Sequence, residues 1–126
     1  MAQVINTHIT QYSAQKSLVR LSDLEQTGGT NLLAGETGRV YSIFIAYDNA
    51  TAAYVKLYNL DGSLTHGTDH PIMVIPVKGT SFSTSIISQS GVYVSSGLSM
   101  AASSHAGTGS GGANPAGTVT TFISGT

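Results

Sequence analysis

Two histidines and an aspartate lie within five residues of each other, at His66, Asp69 and His70. Imidazole nitrogens and carboxylate oxygens bind metal ions, so these three residues are the candidate metal ligands of the chain. The segment is a turn bounded by Gly67 and Pro71, however, and no helix aligns the two rings. Asp69 has an ordinary role in such a turn, because its carboxylate can accept a backbone N–H. We therefore expect a turn with exposed histidines and no metal or other cofactor.

Other catalytic patterns are weaker. Gly107–Gly112 matches the GxGxxG pattern of dinucleotide-binding proteins, but that site needs a strand before the glycines and a helix after them. Here Asn114–Gly117 and a predicted strand follow, which indicates a flexible loop. The chain has no GxSxG motif for a serine nucleophile, and its six acidic residues lie mostly in turns or flanking segments. We expect a protein that is not an enzyme.

Tyrosines offer a different chemistry, that of binding. Tyr54 and Tyr58 share one face of a predicted strand with Lys56, whereas Val55 and Leu57 point the other way. Outward tyrosines are good interface anchors and good platforms for sugars. They also serve to cover the second face of a strand inside a domain, and the sequence leaves both interpretations open.

Composition narrows the class of protein. The chain has 126 residues, a length that predicts one domain, and only 9% of them are charged, against about 25% in an average soluble domain. The net charge is -1, and the five Lys and Arg residues are scattered, so we expect neither nucleic acid nor a membrane as a partner. The absence of cysteine excludes disulfides and thiolate metal sites. A surface with so little charge favours a protein that belongs to an assembly.

The elements that must position these residues are short strands. β-Branched and aromatic residues cluster between Gly, Pro, Asn and Asp, which is typical of an all-β chain. Arg39–Tyr47 is apolar on both faces and is predicted to be covered on both sides. Asp48–Thr51 is predicted to be a turn, and Ala53–Leu60 a half-buried strand. Pro71–Val77 contains two prolines, which cannot donate to a ladder, so it belongs at an edge or a bulge.

Further predicted strands complete the fold. Seven or eight of them, with frequent turns, indicate a β-sandwich or jelly roll with an extended N-terminal arm at Met1–Ala14 and a single domain at residues 15–126. The segment Ser17–Leu21 is either a strand or one helical turn. The other predicted elements are extended Val4–Thr10, the strands Thr80–Ile87, Gly91–Ser96, Leu98–Ser103 and Thr118–Ile123, and the Gly- and Ala-rich loop Ser104–Gly117.

The stretch from Val40 to Ile123, about two-thirds of the chain, resembles a group of small tailed-bacteriophage virion proteins of β-sandwich type. The most telling elements are the AxYVKLYN strand that ends at Asn59 and the GTDxP turn that ends at Pro71. The resemblance implies a structural role in the particle, similar to that of capsid decoration (cement) proteins, which are small β-rich trimers. The family has apolar or Thr residues where this chain has His66 and His70, so it implies no metal role for them.

We expect a decoration protein that bridges and stabilises subunits of the major capsid protein, forms a homo-oligomer, most simply a trimer, and lies on the capsid surface of the virion. Met1–Asn6 lacks the pattern of a signal peptide, so synthesis is expected in the host cytoplasm. Two alternatives stay open: a phage tail, neck or fibre-base component, and a carbohydrate-binding β-sandwich. The candidate interface residues are Val4, Ile5, His8, Ile9, Tyr54, Lys56 and Tyr58.

Overall fold

The chain is all-β, as predicted. The computed structural model describes residues 3–8, 17–22, 24–26, 30–31, 37–61, 64–65, 67–107 and 113–125, with the backbone alone described at 3–8, 17–22, 30–31 and 79–88. These residues contain strands and no helix, hence no helix that could cross a membrane. The strands are Gln3–His8 (β1), Ser17–Ser22 (β2), Thr30–Asn31 (β3), Gly38–Tyr58 (β4), Met73–Val94 (β5), Ser99–Ser103 (β6) and Val119–Gly125 (β7).

All pairings are antiparallel, and β4 is the centre of the sheet. Strand β5 pairs along most of β4, while β7 pairs with the first half of β4 and β6 with its second half. The order β1-β2-β7-β4-β6-β3, with β5 branching from β4, joins the strands in one sheet. No second sheet stacks on it among the described residues, so the sandwich or jelly roll stays a prediction.

Strand β4 is longer than predicted, because it bulges where a turn was expected. The predicted turn at Asp48–Thr51 is wrong: the strand continues, and its register with β5 shifts between Asn49 and Ala53. The Asn49 carboxamide oxygen accepts the Thr51 N–H at 2.8 Å. This local bond bends the chain without reversing it.

Strand β5 joins what were predicted as three strands. The break between the predicted strands Thr80–Ile87 and Gly91–Ser96 is a second irregularity, which lies opposite the register shift between Val40 and Ser42. Gly91 has a φ of +76°, a left-handed conformation that glycine adopts without the penalty of a Cβ. The prediction for Pro76 is confirmed, since the described ladders pair β5 with β4 alone and leave its other edge free.

The core lies on the inner face of the sheet. Ile43 and Ile45 from the first half of β4, and Val55 and Leu57 from the second half, belong to one buried cluster. Burying an aliphatic side chain of this size contributes about 1.5–3 kcal/mol. Other buried members come from β5, β6, β7 and the segments between strands: Ile75, Val77, Val94, Leu98, Met100, Ala102, Val119 and Ile123.

The two halves of β4 differ in the burial of their outer face. The half that was predicted to be covered is exposed there, and the half that was predicted to be exposed is covered. The first half was expected to be covered on both sides, yet Phe44 is 40% exposed. The second half was expected to be half-buried, yet Lys56 and Tyr58 are enclosed. The cover comes from residues outside the strand. Leu64, which packs with Tyr58, follows it closely in the chain, whereas Gly107, whose carbonyl accepts a hydrogen bond from the Lys56 amine, is distant.

Most of the remaining strand predictions agree with the structure. Ser17–Ser22 is a strand, not a helical turn, and β6 and β7 match the strands expected near both ends of the Gly-rich loop. The segment expected to form an arm contributes β1, which pairs with β2 at the edge of the sheet. Whether Met1–Ala14 also reaches a neighbouring subunit stays a prediction.

Candidate interaction surface

An arginine and a tyrosine form a stacked pair on the outer face of the sheet. Arg39 and Tyr93 are opposite each other in the β4–β5 ladder, and the guanidinium carbon lies 5.2 Å from the centre of the Tyr93 ring. One guanidinium nitrogen of Arg39 donates to the Ser90 carbonyl at 3.0 Å. Tyr93 is 53% exposed, so the pair lies on the surface of the protein.

Gly91 makes this arrangement possible. A Cβ atom at position 91 would lie 2.9 Å from the Cβ of Arg39 and 3.1 Å from the ring of Tyr41. The glycine thus lets the bulge in β5 come close to β4, which brings the Ser90 carbonyl within reach of Arg39.

Two phenylalanines continue the surface along β4. Phe44 and Phe122 are opposite each other in the β4–β7 ladder, with ring centres 6.0 Å apart and planes tilted by 53°. The hydroxyls of Ser42 and Ser124 bond to each other two positions along the same ladder. The outer aromatic face is defined by Arg39, Ser42, Phe44, Tyr93, Phe122 and Ser124.

A second exposed apolar patch lies on the other half of the β4–β5 pair. Ile72 and Val74 are 46% and 36% exposed, and Pro76 is also exposed. Met73, Ile75 and Val77 alternate with them and point toward the core. We call Ile72, Val74 and Pro76 the β5 ridge.

The predicted interface residues of the second half of β4 lie inside the molecule. Tyr58 is 2% exposed and Lys56 is fully enclosed, whereas Tyr54 is half-buried. Tyr58 therefore follows the second of the two interpretations, that of covering a face of its strand within the domain. As a free ring for a sugar or a partner it is not accessible.

Burial changes the chemistry of both enclosed groups. The Lys56 amine donates to the Gly107 carbonyl at 2.6 Å, and burial lowers its pKa from the ordinary 10.5. Burial also raises the pKa of the Tyr58 phenol, and the negative charge of Asp69 adds to the increase. Both shifts favour the neutral form of the side chain.

The predicted turn around Asp69 is confirmed. The Asp69 carboxylate accepts the Thr65 N–H at 2.7 Å, and the Thr65 carbonyl accepts the N–H groups of Thr68 and Asp69. His70 is exposed, and His66 lies outside the described residues. Within the described part of the chain no three His, Asp or Glu side chains cluster as metal ligands, so the pairing of His66 with Asp69 and His70 stays untested.

The Gly-rich loop is tied down at its base. Ser104 and Ala113 exchange two hydrogen bonds, at 2.8 and 2.9 Å. The Ser103 hydroxyl donates to the Gln26 side chain at 2.7 Å, and the Gln26 N–H donates to the Asn114 side chain at 2.9 Å. The loop connects β6 to β7, so no helix follows the glycine motif, although residues 108–112 lie outside the described part.

The N-terminal interface candidates belong to β1 or fall beyond it. Val4, Ile5 and His8 pair in the ladder with Leu21, Arg20 and Ser17, and nothing further is described for them. Ile9 lies outside the described residues.

Sequence reasoning missed Arg39, Phe44, Tyr93 and Phe122 as surface residues. The alternation along β4 does place Phe44 opposite Ile43 and Ile45, but only the ladder brings Phe122 and Tyr93 beside that strand. No protein family model matches the chain, and a search of curated proteins finds no match. The resemblance to tailed-phage virion proteins therefore rests on the sequence pattern alone.

Proposed function

We propose that this chain is a non-enzymatic virion structural protein, a capsid decoration protein that bridges and stabilises major capsid subunits. One observation carries the proposal: two separate exposed apolar patches lie on opposite halves of the long β4–β5 pair. They are the outer aromatic face and the β5 ridge. A protein that joins two neighbours needs two contact surfaces, and a single ligand pocket needs one.

The surface chemistry supports contacts of this kind. Charged residues are only 9% of the chain, so its contacts depend on apolar, hydroxyl and backbone groups rather than on long-range attraction. Each contact is modest, but a bridging protein held at two patches dissociates slowly because both must release together. Homotrimers on the capsid surface, assembled after synthesis in the host cytoplasm, and a jelly-roll or sandwich arrangement belong to the same proposal.

Quantitative mass spectrometry of purified phage particles tests the proposal directly. We expect a copy number comparable to that of the major capsid protein, because decoration proteins occupy repeated positions of the shell. A few copies per particle would favour the tail, neck or fibre-base alternative. Absence from the particle would refute a virion role.

A bridging protein must bind through both patches, so a substitution in either patch should stop it from bridging. Phe44→Ser on the outer aromatic face and Ile72→Ser on the β5 ridge should each weaken binding to particles stripped of the protein. Each variant should also abolish the added resistance of those particles to heat, because a protein bound at one patch joins nothing. If either substitution leaves that resistance intact, the protein does not bridge through that patch.

The carbohydrate-binding alternative relied on Tyr54 and Tyr58 as platforms for a sugar, and Tyr58 is enclosed. A glycan array with wild-type protein and Tyr54→Ala decides it. Binding that depends on Tyr54 would favour the sugar-binding module over the structural role.

A further inference from the structure

The outer aromatic face carries the positive charge of Arg39. No carboxylate of the described residues pairs with Arg39, whose contacts are the Tyr93 ring and the Ser90 carbonyl. The exposed Asp48, at the far end of this half of β4, already accepts the Thr118 N–H at 2.7 Å.

The ladder aligns Phe44 with residues of four other strands. One row of paired backbone positions crosses five strands and contains three apolar residues, one arginine and one serine. These are Ile5, Arg20, Phe122, Phe44 and Ser85. Ile5, which the sequence already marked as an interface candidate, is thus in register with Phe44.

The geometry of the Arg39 guanidinium suits a carboxylate ligand. A guanidinium has five N–H donors in a planar fork, and a single bond to Ser90 leaves an edge able to bind a carboxylate in bidentate fashion. The ring of Tyr93 and the Ser90 carbonyl fix the side chain in advance, which reduces the entropy lost on binding. Arginine and tyrosine are also the residue types that most often dominate the binding energy of interfaces.

We propose that the outer aromatic face docks onto an apolar surface of the major capsid protein that presents a carboxylate to Arg39. The inference rests on the proposed function and names the partner chemistry of one of its two patches. Phe44, Phe122 and Tyr93 supply the apolar contact, and Arg39 selects the partner by charge and geometry.

Binding of the purified full-length chain to phage particles stripped of it tests the inference. Arg39→Gln removes one positive charge from the face, and Lys78→Gln, at an exposed position of β5 outside it, is the matched control. We expect Arg39→Gln to weaken binding about 10-fold or more, the loss typical of a charge-assisted hydrogen bond, and Lys78→Gln to change it less than about twofold. Arg39→Lys, which keeps the charge but not the fork, should fall between Arg39→Gln and the wild type. Thermal unfolding of each variant verifies the fold.

The carboxylate is tested from the partner side. Coupling the carboxylates of stripped particles to glycinamide should reduce wild-type affinity to that of Arg39→Gln and affect the variant much less. Equal binding of Arg39→Gln and wild type, or an equal loss for Lys78→Gln, would overturn the docking inference alone. Failure of the wild type to bind any stripped particle would overturn the proposed function and the inference with it. A shift in the oligomeric state of Arg39→Gln in solution, with particle binding unchanged, would assign the face to a second copy of this chain and overturn the inference.

Discussion

Lys56 provides the sharpest test of how the second half of β4 is stabilised. Its side chain is fully enclosed, and its amine donates to the Gly107 carbonyl at 2.6 Å. No carboxylate of the described residues pairs with it. Lys56→Met keeps most of the length of the side chain and removes the amine, while Lys56→Ala removes the aliphatic stem as well.

The magnitudes follow from two opposing terms. Lys56→Met loses a hydrogen bond worth about 1.5–3 kcal/mol if the amine is charged, but it also ends the desolvation of that amine, which costs several kcal/mol. We therefore expect the free energy of unfolding of Lys56→Met to stay within about 1 kcal/mol of the wild type or to exceed it. Lys56→Ala leaves the space of about three methylene groups empty and should be about 2–4 kcal/mol less stable than Lys56→Met.

The dependence on pH isolates the amine. Because burial lowers the pKa of Lys56 in the folded protein, the unfolded chain binds more protons between that pKa and 10.5. The stability of the wild type should therefore rise relative to Lys56→Met as the pH increases through this window. Tyr58, whose raised pKa acts in the opposite direction above 10.0, is present in both proteins and cancels in the difference.

Urea unfolding of the wild type, Lys56→Met and Lys56→Ala at roughly pH 7 and roughly pH 10 measures these differences. A loss of more than about 3 kcal/mol in Lys56→Met would mean that the bond to Gly107 outweighs the desolvation of the amine. If the stability of the wild type relative to Lys56→Met does not rise with pH, the shifted pKa of Lys56 is refuted.

Two other polar side chains give smaller effects. Asn59 accepts the N–H groups of Ser95 and Ser96 at 3.1 and 2.9 Å, so Asn59→Ala should lower the free energy of unfolding by about 0.5–1.5 kcal/mol in a denaturant titration, and Asn59→Asp should recover most of it. Asp69→Asn removes the negative charge near Tyr58 and should lower the pKa of that phenol, measured by its absorbance, while burial, the larger cause, keeps it above 10.0. An unchanged Tyr58 titration in Asp69→Asn would argue against an influence of the Asp69 charge on the phenol.

Local chemistry made part of the fold predictable. Proline removes a ladder donor wherever it stands, so Pro76 had to lie at a free edge or a bulge, and it does. An aspartate between glycine and proline has few partners other than the backbone of its own turn, and the Asp69 carboxylate bonds to Thr65. Such predictions succeed because the cause and its effect lie within a few residues.

The length of the strands was not predictable in the same way. Asn49 and Gly91 are residue types that favour turns, but the same types also occupy bulges, in which the strand continues. Which of the two forms depends on pairing with a partner strand far along the chain. The cover over Lys56 likewise comes from Gly107, which is far along the chain and which no local pattern connects to β4.

The candidate site could not be predicted for the same reason, since its residues come from segments far apart in the chain. The failed prediction that both faces of the first half of β4 are covered also bears on function. Apolar residues on both faces of Arg39–Tyr47 indicate a strand that is covered on both sides. The described residues cover the inner face and leave Phe44 40% exposed, with Tyr93 exposed nearby on the same face. The composition of the strand fits burial on both faces, and in the proposed docking its second layer comes from another molecule. If the proposed docking is correct, the capsid surface supplies that layer, and the pattern of β4 describes the assembled state rather than the isolated subunit.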